Sequence, residues 1–181
     1  LCGKLFDETG DRLTPSHSKT KAGKRLRYYV SHRLITKSGQ TNEGGWRLPA
    51  PQLEEQIAAL IRKALSTPAA VSQLVPNLSA DAIGRIRSAL SDGLQEAKPP
   101  DTLKLVETIT VTQGQLKLRL DASEVAALLG VEPASINDDA CQITAPFQMR
   151  KRGVETKLII CDAPTGQDET LIRNIAKAHH W

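Results

Sequence analysis

The segment "LVETITVTQGQLKLRL" limits the fold more than any other stretch of this chain. Leu116, Leu118 and Leu120 alternate with Lys117 and Arg119, so one face is apolar and the other cationic. A period of two makes a half-buried strand, and such a strand needs a partner and a cover. The run before it supplies the partner of a hairpin. A second hairpin is predicted in "QITAPFQMRKRGVETKLII", turning at Arg152-Gly153, with Ile143, Phe147 and Met149 facing Val154, Leu158 and Ile160. These strands predict one antiparallel sheet over 103–120 and 142–161. The leucine-rich faces must cover one another or a helix.

The cover comes from segments with a helical period. "LPAPQLEEQIAALIRKAL" lines up Leu53, Ile57, Leu60 and Ile61, with Pro51 tolerated in the first turn. "SADAIGRIRSALSDGLQE" begins at a capping Ser79 and aligns Ile83, Ile86, Leu90 and Leu94. A shorter helix, Pro68 to Val75, is capped by Thr67. Together they read as an antiparallel helical arm, ended by "KPPD". A further helix runs from Ser123 to Leu129 and stops at Gly130, and a terminal helix starts near Asp168. The fold class is α+β, in three stretches: a basic β-ribbon over 1–47, a helical arm over 48–98, and antiparallel hairpins with short helices over 99–181. The apolar fraction of 40% supports a core, and 3% aromatics makes that core aliphatic. Both ends look cut, "LCGKLF" within a strand and "LIRNIAKAHHW" within a helical pattern, as in a piece of a longer protein.

Charge is unevenly placed. Residues 1–47 carry ten Lys or Arg against four acids, a net +6, while the rest of the chain is net −2. Residues 16–37 hold seven Lys or Arg and no acid. Between Lys24 and Leu34 the pattern alternates. Leu26, Tyr28 and Val30 form an expected apolar face, with Arg25, Arg27, Tyr29, Ser31 and Arg33 opposite. Because acids are absent from 12–42, these bases are expected to lack local partners. A strand face of guanidiniums around a tyrosine suits phosphate contact and stacking. Lys19, Lys21 and Lys24 extend it along the turn "HSKTKAGK", and Arg12 is a further candidate phosphate contact. Arg150, Lys151 and Arg152 at the second hairpin tip are a further candidate contact, although hairpin tips are often basic only because they are exposed. The expected partner is double-stranded DNA. Two other readings compete: an RNA-binding ribbon, and a protein–protein module whose basic face is merely solvated.

No catalytic constellation is present in the sequence. The four histidines (His17, His32, His179, His180) and three cysteines (Cys2, Cys141, Cys161) fall at no ligand spacing, so neither a metal nor another cofactor is expected. Phosphate-binding loops and nucleophile elbows are missing, and Asp138-Asp139 reads as loop. The chain is expected to be no enzyme by itself. Unpaired thiols point to the cytoplasm, and no apolar run reaches the length of a membrane span.

The pattern "LFD-x-x-G-x-R-[LM]-TP-[ST]-H", met here as "LFDETGDRLTPSH", with "RLRYYVS" after it, resembles the segment that follows the recombinase domain in serine recombinases of the resolvase/invertase class, particularly the large ones. "PFQMRKRGVETKLII" and "LIRNIAKAHHW" are similar to the C-terminal part of phage- and transposon-type members. The resemblance implies the DNA-binding region of a site-specific recombinase. The catalytic serine would lie in a separate N-terminal domain, and other recombinase subunits would be partners, through the helical arm. Many relatives carry a zinc ribbon here. This chain departs from it, since the first cysteine pair falls on Asp7 and Gly10 and a later cysteine near Ser31. The turn "DETG" would then close by backbone geometry what a metal clamps elsewhere.

Overall fold

The computed structural model describes residues 1–20, 23–36, 44–152 and 155–160, and the fold is α+β. In chain order β1 (Leu5–Asp7), β2 (Leu13–Lys19), β3 (Arg25–Ser31), α1 (His32–Thr36) and β4 (Arg47–Pro49) come first. Three helices follow: α2 (Ala50–Leu65), α3 (Pro68–Leu74) and α4 (Ala80–Glu96). After a single turn, α5 (Pro99–Thr102), come β5 (Val106–Thr112), β6 (Gly114–Leu120), α6 (Ala122–Leu129), β7 (Gln142–Arg152) and β8 (Glu155–Ile160).

The two predicted hairpins do join one sheet. Val111 pairs with Leu116 and Ile109 with Leu118, and Gly114 takes a positive φ of 85° at the turn. Phe147 lies opposite Ile160 and Met149 opposite Leu158, as the alternation requires. Leu116, Leu118 and Leu120 are buried to within 2%. The sheet has a fifth strand that the alternation did not announce. β1 from the first stretch runs parallel to β5, with Leu5 opposite Ile109, giving the order β1-β5-β6-β7-β8. β2, β3 and β4 form a separate three-stranded antiparallel sheet.

α2 differs from the expected arm. It touches β3 and β4 on one side and β8 on the other, and buries Leu53, Ile57, Ala58, Ile61 and Leu65. An apolar stripe of this width suits two sheets better than one partner helix. Burying each of these leucines and isoleucines stabilises the fold by about 2 kcal/mol. The helix also closes the open edge of the larger sheet. Gln56 donates to the Leu158 carbonyl at 2.7 Å, and Leu158 N–H donates to Gln52 at 3.4 Å, so side chains one turn apart replace a neighbouring strand. α4 retains more of the arm character: Leu90 is buried, while Ile83 and Ile86 are only partly covered. The caps are as read, Thr67 accepting from Ala70 N, Ser79 from Ala82 N, and Gly130 ending α6 in the left-handed region at φ 68°. One apolar cluster runs from Leu5 through Tyr29, Ile57 and Leu90 to Leu158, drawing on all three stretches of the chain. Among the described residues no helix is long and apolar enough to cross a membrane. The terminal helix, Cys161 and the Gly153 turn lie outside the described residues.

Candidate nucleic-acid interface

β2 and β3 form a ribbon whose register decides which side chains share a face. Lys19 lies opposite Arg25, His17 opposite Arg27, Pro15 opposite Tyr29 and Leu13 opposite Ser31; on the other side Leu48 lies opposite Tyr29. Directly paired residues point the same way. One face therefore reads Lys19, Arg25, His17 and Arg27 toward the turn, then Leu13, Tyr29, Leu48 and Ser31 toward the base. The turn itself closes by Thr20 N–H to Lys24 O, at 2.9 Å, with Gly23 at φ 79°.

The base of that face is not exposed, which corrects the expectation for Tyr29. Its side is turned onto α2, and Tyr29 keeps only 5% of its surface. The phenol donates to Glu54 at 2.8 Å. Burial, and then this bond, push its pKa up. A ring held this way offers no stacking surface. The more accessible of the two is Tyr28, half-buried on the face expected to be apolar, where the Arg47 guanidinium lies 4.4 Å from its ring centre. The sequence pattern puts Tyr28 with the apolar residues and gives Arg47 no role, so this contact is not legible there. Two adjacent tyrosines on a strand always point apart, and alternation alone does not say which points in.

No acid within the segment pairs with these bases, but two of them find acids elsewhere in the chain. Arg27 pairs with Glu54 at 2.9 Å, from the first turns of α2. Arg33 is not on the strand. It lies in α1, and its guanidinium bonds Asp7, Asp11 and the Gly44 carbonyl. Arg12, Lys19, Lys24 and Arg25 are exposed, and among the described residues no acid pairs with them. Lys21 lies outside the described residues, as do the side chains of Arg150, Lys151 and Arg152.

Asp7 organises the ribbon's base. It is 1% exposed, and one carboxylate oxygen accepts from Thr9 N, Thr9 Oγ1 and Asp11 N at 2.7–3.1 Å. The other accepts from Ser31 Oγ at 2.9 Å and from Arg33. Burial pushes this carboxyl up, but the bonds from Thr9 and Ser31 and the Arg33 charge outweigh it and hold the pKa below its usual 3.8. Gly10 closes the turn by donating to Asp7 O at 2.9 Å, with φ 79°. Asp7, Gly10 and Ser31, the positions where the resemblance leads one to expect a zinc ribbon's cysteines, thus form a hydrogen-bonded knot. They do not fit zinc: Gly10 has no ligand atom, and the Asp7 oxygens are already taken by donors. Among the described residues no three His, Cys, Asp or Glu side chains gather where they could hold a metal ion.

No family model, curated protein or solved structure matches this chain.

Proposed function

We propose that this chain is a DNA-binding, non-catalytic region of a serine-type site-specific recombinase, working in the cytoplasm with other recombinase subunits. The recombinase assignment rests on the resemblance of "LFDETGDRLTPSH" and "RLRYYVS". The DNA reading rests on one observation: Lys19, Lys24 and Arg25 cluster at the free end of a two-stranded ribbon with no acid paired to them among the described residues. Cations on a protruding ribbon lower their energy by meeting phosphates and releasing counterions, and a ribbon of this width can lie along a groove. The outer part of Arg27 belongs to the same contact, whereas Arg12, exposed at the opposite end of β2, would meet the duplex separately. Tyr29 and Arg33 instead hold the ribbon in place.

The test is binding of a mixed-sequence duplex by fluorescence anisotropy at several salt concentrations. With about five phosphate contacts, log K falls against log salt with a slope of roughly −4 to −5. RNA that competes as well as duplex DNA turns the reading toward RNA. A chain that binds neither at low salt refutes it and leaves the ribbon a solvated face.

A further inference from the structure

The basic face of the ribbon does not end at Arg27. That guanidinium also lines a cleft of about 430 Å³ bounded by the N-terminal turn, α2 and α5, where Lys4 and Lys104 face it across the prolines Pro99 and Pro100. Three cations from three separate parts of the chain therefore look into one concavity, and among the described residues Glu54 is the only acid on its wall. Both Glu54 oxygens are already engaged, one by Tyr29 and the other by Arg27. A guanidinium has five N–H donors in a fixed fork, and the ion pair with Glu54 uses one nitrogen, Nη2. The side chain of Arg27 is 52% exposed, so its remaining donors are open to the cleft. Lys4 is tied to the Val106 carbonyl, which fixes its stem and leaves ammonium hydrogens over. Lys104 pairs with Asp101 at 3.0 Å, but both are mostly in solvent, at 70% and 56%, and such a surface pair exchanges readily for another anion.

We infer that this cleft is a second phosphate clamp, holding a backbone phosphodiester of the same duplex that the ribbon tip engages. The inference rests on the DNA reading above, and continuity carries it further. Arg25 and Arg27 lie two residues apart on one strand face, about 6.6 Å along the strand. A backbone followed from Lys19 and Arg25 therefore reaches Arg27, and past it Lys104. Fixed on the body of the protein, the clamp would set the angle at which the ribbon meets the duplex, since contacts to phosphate determine register and orientation.

The experiment compares four variants of the whole chain, K104Q, K117Q, K104R and K19Q/R25Q, with wild type on a mixed-sequence duplex, at roughly 50 and 200 mM salt. K104Q is expected to weaken binding about fivefold and to reduce the salt slope by about one. K117Q, which removes an equal charge from an exposed position on the larger sheet, is expected to change affinity less than twofold or so. K104R keeps the charge and is expected to bind as wild type does. Binding lost with K19Q/R25Q but unaltered by K104Q leaves the DNA reading standing and overturns the clamp. Equal losses in K104Q and K117Q also overturn it, by reducing Lys104 to net charge. Loss in K104R as well as K104Q would assign Lys104 to packing. If wild type itself does not bind, the DNA reading and the clamp fall together.

Discussion

The two ends of one ribbon share a sequence pattern and meet opposite fates. At the tip, Lys19, Lys24 and Arg25 stand in solvent without acidic partners among the described residues; at the base, Tyr29 and Ser31 on the same face are 5% and 0% exposed. What separates them is four residues of strand and the position of α2. Near α2 the face is desolvated, so its polar groups are matched, Tyr29 to Glu54 and Ser31 to Asp7, and Arg33 of α1 completes the knot on Asp7. Past Arg27 the helix no longer covers the face, and charge costs nothing to leave in water. The base should therefore govern stability and the tip affinity, with little exchange between the two.

Asp7→Asn is the sharpest way to break that division. It removes the charge that Arg33 faces and keeps the shape, and we expect a loss of about 3 kcal/mol in urea unfolding. The same carboxylate sets a pH dependence. Its folded pKa lies below 3.8, so its contribution is complete above that value and fades as pH falls through the lower folded one. Wild-type stability should drop in that acid range more than D7N stability does. A D7N chain as stable as wild type would show that the knot is not an anchor.

The tip predicts the reverse. K19Q/R25Q should leave stability within about 0.5 kcal/mol of wild type. Duplex affinity should fall roughly tenfold, with the salt slope flatter by about two. A double variant that melts early but binds normally would invert the comparison.

Tyr29→Phe is a smaller probe of the border. Losing the bond to Glu54 should cost about 1 kcal/mol, with DNA affinity unchanged because the ring is covered. Reduced affinity at unchanged stability would mean that Tyr29 reaches the ligand after all. The smallest effect expected is none: a strong chelator should not move the melting temperature, because the Asp7 knot occupies the positions where a metal would clamp. A chelator-induced drop in melting temperature would place the stabilising contact on a metal instead.

Much of the secondary structure was legible because it depends on neighbours in the chain. Leu116, Leu118 and Leu120 announced their strand, Thr67 and Ser79 their helices, and Gly130 a stop, each through geometry spanning a few residues. The basic tip was legible for a similar reason, since exposed cations need no partner to be recognised. The sequence by itself also placed a closing turn at "DETG", where Gly10 takes the left-handed conformation. Only the tertiary structure decided that β1 pairs with β5, about a hundred residues away, and that α2 fills the space between two sheets. It alone chose Tyr29 over Tyr28 for the interior, put Arg33 on a helix turn beside Asp7, and supplied Glu54 to a segment that carries no acid of its own. An alternating strand has two faces of equal standing, and the choice between them is made by whatever packs against it. That partner lies too far along the chain for local spacing to reveal.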